Sequence, residues 1–140
     1  MSPDSLFSLC SSVVLPAWIL LVVAPRWRWT HRVAVAVPLL LAATYLVLVA
    51  VNFRPGEGGF GSLDEVAKLF ANRNVLLAGW IHYLAFDLFT GAWEVRDAGQ
   101  LGLPHAFVIP CLLLTFLFGP IGLALYFVLR STLRGFVALK

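Results

Sequence analysis

Charge is scarce in this chain: Lys, Arg, Asp and Glu make up 12% of its 140 residues, against about 25% in an ordinary soluble domain. That shortage removes half the usual solvating surface. Cysteine is nearly absent, and Cys10 and Cys111 have no CxxC spacing, so neither a redox motif nor a cysteine metal site is expected. Both lie in apolar blocks and read as inert small residues. A basic stripe of the kind that grips nucleic acid is missing as well, so no nucleic-acid partner is expected. What remains is hydrophobic: 61% of residues are apolar, mean hydropathy is +0.91, and the apolar residues are bunched in blocks. Lipid is the expected solvent, and the lipid bilayer the first expected partner.

The N-terminus, Met1-Ser2-Pro3-Asp4, lacks a basic leader. Its first apolar block is longer than the core of a signal peptide, and Leu9 before Cys10 argues against a lipoprotein cleavage site. The block is therefore expected to stay in the membrane. Crossing about 30 Å of hydrocarbon takes about 20 apolar residues. Four segments qualify, at 5–24, 33–53, 75–93 and 106–129. The expected fold is an all-α membrane protein, with four transmembrane helices in one bundle and a single domain over 1–140. Trp27, Trp29, Trp93 and the neighbouring arginines are suited to the head-group layer. Pro16, Pro38, Pro110 and Pro120 fall inside spans one, two, four and four, where neighbouring helices must satisfy the carbonyls they free. Span three has no proline and is the most polar, which suggests the middle of the bundle.

Between spans two and three, Ser62 and Glu65 form a capping-box pattern. Leu63, Val66, Ala67 and Phe70 follow as one apolar stripe. A short amphipathic helix over about 62–71 on the membrane surface is expected. Orientation meets a conflict. Arg26, Arg28 and Arg32 place the first connection in the cytoplasm, but four spans put Arg130, Arg134 and Lys140 on the other side, against the positive-inside rule.

The polar residues of span three call for an explanation. His82 is near its centre and Asp87 five residues on. An aspartate there costs about 2.5–3.5 kcal/mol on insertion scales, so a functional role is the starting hypothesis; an interhelical hydrogen bond is the plain alternative. Five residues turn about 500°, which sets the two side chains about 140° apart. They can line one cavity but are poorly placed to bond each other. Trp80, Tyr83 and Glu94 share the Asp87 face; Phe86, Phe89 and Trp93 share that of His82. Glu94, Arg96 and Asp97 read as an ordinary polar connection with Arg96 paired to an acid, whereas Asp97 and His105 could fold back to extend a cavity that begins at Asp87. His82, Asp87, Asp97 and His105 are a conceivable ligand set for a divalent ion, but their spacing matches no tight motif. No metal and no cofactor are expected; a bis-histidine haem and a nucleophilic triad lack support. Gly119-Pro120-Ile121-Gly122 reads as a kink in span four that could widen a cavity beside span three.

The stretch Trp80-Ile81-His82-Tyr83-Leu84-Ala85-Phe86-Asp87-Leu88-Phe89 resembles the signature of the ABA4-like membrane family. The chain order around it is similar too: Pro16 and Ala24-Pro25 in span one, Leu69-Phe70 before span three, Arg96-Asp97 ahead of His105, then Pro120-Ile121-Gly122. The resemblance runs from about Phe7 to Leu129. It implies kinship with a plant branch required for neoxanthin formation in plastids, a redox-neutral isomerisation in which an epoxide opens and the adjacent polyene becomes an allene. Such chemistry needs an acid at the epoxide oxygen and a base for a polyene hydrogen. The resemblance carries these roles to Asp87 and His82, in either order. Trp80, Tyr83, Phe86, Phe89, Trp93, Arg96, Asp97 and His105 are the expected substrate-binding residues. No Ser- and Arg-rich transit peptide is seen, so a bacterial member in the plasma membrane is expected.

Two functions follow. One is an isomerase-type enzyme acting on a lipophilic isoprenoid. The other is a non-catalytic protein that holds a pigment, a quinone or a partner membrane enzyme, and a homo-oligomer fits either. A transporter does not, because four helices without a repeat offer little machinery for alternating access.

Overall fold

The computed structural model describes residues 1–54 and 56–134, except for the Arg134 side chain; Lys140 and that side chain lie outside the described residues. Six helices follow one another: α1 (Pro3–Val23), α2 (Thr30–Asn52), α3 (Leu63–Ala71), α4 (Arg73–Leu101), α5 (His105–Phe118) and α6 (Pro120–Arg134). No strand occurs among the described residues. Three helices, α1, α2 and α4, are long and apolar enough to cross a membrane, rather than the four expected.

Spans one and two come out close to expectation. Ser2 caps α1 by accepting from the Ser5 N–H, with Pro at the first helical position, where its missing donor is not needed. Their connection is tied down by Thr30, whose hydroxyl donates to the Ala24 carbonyl at 2.7 Å. α3 begins as a capping box should: Ser62 Oγ accepts from the Glu65 N–H, and Glu65 Oε2 accepts from the Gly61 N–H. Its buried face differs from the stripe expected, because Leu69 goes inside while Leu63 is 84% exposed.

α4 is central, in contact with every other helix. It also runs to Leu101, so Glu94, Arg96, Asp97 and Gly99 are helical rather than part of a connection. Nothing in 94–101 breaks a helix before Gly102, whose φ of 65° closes it, and the acids on this turn find partners on α5 and α6.

The fourth apolar segment is the main departure. It is two short helices of 14 and 15 residues, each about 21–23 Å long, and they form a hairpin. Tyr126 and Arg130 of α6 both bond Asp97, near the end of α4 where α5 sets out. An α6 that continued in the direction of α5 would carry Arg130 far away from it. Gly119 makes the turn with φ 37°, and Pro120 lacks the N–H needed to continue α5. A Cβ on Gly122 would collide with the Thr115 backbone, so the two arms touch directly past the turn.

The hairpin also removes the orientation conflict. α6 returns to the end that holds the α1–α2 connection, so Arg26, Arg28, Arg32, Arg96 and Arg130 gather at one end of the bundle. Arg54, Lys68 and Arg73 are at the other.

Candidate functional site

α4 presents two polar faces. Going round it by 3.6 residues per turn brings Tyr83, Asp87 and Glu94 within about 40° of one another, while His82 points about 140° from Asp87. The structure follows this: the first group faces the α5–α6 hairpin, and His82 faces α2 and α3.

On the hairpin face Tyr83, Glu94 and Asp97 find partners on α5 or α6, and Asp87 is the exception. Tyr83 donates its hydroxyl to the Leu117 carbonyl at 2.9 Å, satisfying an acceptor left over where α5 ends. Asp87 lies against the turn; a Cβ on Gly119 would fall 2.5 Å from its Oδ1. Glu94 is fully buried and accepts from Thr115 Oγ1 at 2.9 Å. It is therefore a packed interior group, not the plain connection residue expected. Asp87 Oδ2 and Glu94 Oε2 are buried without a hydrogen-bond partner among the described residues. Asp97 accepts from Tyr126 at 2.6 Å, from Arg130 Nε at 2.9 Å and from Arg130 Nη2 at 3.3 Å. Trp93 packs edge-on to Tyr126 and stacks on Phe127. The partner expected for a nearby acid was Arg96, but Arg96 is exposed and Arg130 takes that place.

The other face is open. His82 is exposed, with its ring 4.6 Å from Phe86 and 5.8 Å from Tyr45 of α2. A cavity of about 500 Å³ lies between α2, α3 and α4, walled by Tyr45, Val49, Phe53, Phe60, Phe70 and His82 among others. Phe53 and Phe60 stack at 6.3 Å to form one side. Among the described residues, Tyr45 and His82 supply the only ionisable side chains of its lining.

The expected site residues thus divide among several places. Phe86 flanks His82 beside the groove. Trp80 belongs to the α1 side, where its indole N–H donates to Ser11 Oγ at 3.0 Å and its ring lies 5.5 Å from that of Phe7 and 5.3 Å from that of Tyr83. Phe89 and Trp93 line a shallow cleft with Leu123 and Phe127. Arg96 and His105 line a cavity at the basic end. Asp97 is held by α6, so His82, Asp87, Asp97 and His105 do not converge, and no metal-binding group of three or more such residues occurs among the described residues. Cys10 and Cys111 are buried and free.

Tyr45, Thr115, Tyr126 and Arg130 went unpredicted. For the last two a signal existed, since i, i+4 spacing sets Tyr126 and Arg130 on one helix face. Tyr45 offered none, because nothing in span two tells which side meets span three.

The family model described as ABA DEFICIENT 4-like matches residues 5–126. Protein ABA DEFICIENT 4, chloroplastic, of Arabidopsis thaliana is 29% identical over 143 residues, covering 94% of this chain and 63% of the relative. The chain thus spans under two thirds of that relative's length. Because the relative is chloroplastic, the expectation of a bacterial plasma membrane gains no support from it. No solved structure matches. With the match covering all of the chain from the first helix into α6, this membrane protein belongs to the ABA4-like family.

Proposed function

We propose that the chain binds one end of a long lipophilic isoprenoid, of carotenoid type, in the groove between α2, α3 and α4 and isomerises it there by proton transfer. The observation that carries this reading is the pairing of His82 and Tyr45, ring centroids 5.8 Å apart, in an otherwise apolar cavity of about 500 Å³. Ligand sites are of this kind: about 300–1,000 Å³, mostly apolar, with few polar groups. The volume suits an end group rather than a whole polyene. The rest of the chain would trail past Phe86, which is 59% exposed, into lipid.

Epoxide-to-allene isomerisation requires an acid and a base on one end group. A phenol and an imidazole that share a groove supply both, with His82 as base and Tyr45 as acid. Asp87 works from the other face, against the hairpin turn, and shares no substrate atom with His82. The kinship with ABA DEFICIENT 4 supports a carotenoid-related role.

The test is mass spectrometry of lipophilic extracts from carotenoid-producing cells that express the wild-type chain, no chain, or His82→Leu. The reading expects a product, isomeric with a precursor, that requires the wild-type chain and is lost in His82→Leu at equal protein level. A non-catalytic holder of a pigment would leave the extract unchanged while the precursor co-purifies with the protein.

A further inference from the structure

At the end of the bundle opposite α3, the α1–α2 connection, the last turns of α4 and the start of α5 enclose a second cavity, of about 410 Å³. Its polar lining includes Arg26, Arg28, His31, Arg96, Gln100 and His105, and no Asp or Glu among the described residues contributes to it. The ion pairs formed among the described residues are Arg54–Glu57, Arg73–Asp4 and Arg130–Asp97. None uses Arg26, Arg28 or Arg96. Arg28 lies over the Trp29 ring at 5.1 Å and Arg32 over the same ring at 4.8 Å.

Three guanidinium groups line one hollow, and an anion there would offset their mutual repulsion. Guanidinium groups match the oxygens of phosphate in geometry and charge. The imidazole of His105 is fixed as well. Its Nε2 is 2.9 Å from the Val22 carbonyl oxygen, and a carbonyl only accepts, so Nε2 carries a proton and Nδ1 is the nitrogen left over. The cavity is also at the level where α1 and α4 end and α2 begins, and the ends of membrane spans are the parts nearest the head groups. Basic pockets between membrane helices are suited to such head groups.

We infer that this cavity is a binding site for a phosphate group, carried either by an anionic lipid or by a small soluble phosphate. Arg26 and Arg96 grip it from opposite walls, with Gln100 as a hydrogen-bond donor and His105 Nδ1 placed to accept from a protonated phosphate oxygen. The site is distinct from the groove at His82, which opens at the other end of α4.

The test uses the purified full chain in neutral detergent at constant ionic strength. Thermal stability and tryptophan fluorescence are followed as dihexanoyl phosphatidic acid, pyrophosphate or dihexanoyl phosphatidylcholine is added. The expected result is saturable binding of at least one of the first two probes, weakened tenfold or more by Arg96→Gln and by Gln100→Glu. Gln100 is exposed and lends no ion pair to the fold, so the second variant keeps the test valid should the first be unstable. Phosphatidic acid alone binding identifies a lipid head group, and pyrophosphate binding identifies a soluble phosphate. Binding of neither, equal response to phosphatidylcholine, or unchanged affinity in both variants overturns the inference.

Discussion

The two sides of α4 treat polar residues in opposite ways. Towards the hairpin, Tyr83, Glu94 and Asp97 each have a hydrogen-bond partner on α5 or α6, and Asp97 is bridged to an arginine that is 4% exposed. Towards α2 and α3, His82 has aromatic neighbours and an open cavity. Polar side chains inside a membrane bundle either lock helices or meet a ligand. One helix can do both, with the choice set by how closely the neighbouring helices pack on that face. Here the hairpin packs closely on one face, while α2 and α3 leave a cavity at the other.

Substitutions on the hairpin face therefore destabilise the protein more than those on the groove face. The largest effect is expected for Arg130→Met, which leaves the Asp97 carboxylate, 13% exposed, with Tyr126 and no counter-ion; breaking a buried pair costs about 3–5 kcal/mol. Reversible unfolding in mixed micelles reads this directly, and Asp97→Leu combined with Arg130→Leu should recover much of the loss. Thr115→Val removes the only hydrogen-bond partner that Glu94 has among the described residues and should cost about 1–3 kcal/mol in the same assay. Tyr83→Phe withdraws one hydrogen bond from the Leu117 carbonyl, for about 0.5–1.5 kcal/mol. His82→Leu is the smallest on this scale, within about 0.5 kcal/mol, though it should abolish product formation. A His82→Leu protein as unstable as Arg130→Met would erase the distinction between the faces.

Much of this was legible in the sequence. Apolar length located α1, α2 and α4, and the 100° step per residue separated His82 from Asp87. The absence of proline in span three and its polar content fitted its central position. The hairpin was not legible, because Gly119-Pro120 reads equally as a kink within one long helix, and only contacts distant in sequence decide between them. Arg130 shows the same limit. As a tail residue it looked like a topology signal, and only the return of α6 turns it into the counter-ion of Asp97. The end of α4 was misjudged for a related reason: charged residues suggest a connection unless partners from another helix satisfy them.

Because everything on the covered face depends on the hairpin, its direction is the claim to test first. Single cysteines at Ser2, Trp27 and Thr132, all exposed, can be labelled with a membrane-impermeant maleimide in sealed vesicles, with the native Cys10 and Cys111 buried. The fold described predicts that positions 27 and 132 react from one side of the membrane and position 2 from the other. Labelling of positions 2 and 132 from the same side, opposite to 27, would mean that the last apolar segment crosses the bilayer, and would contradict the hairpin.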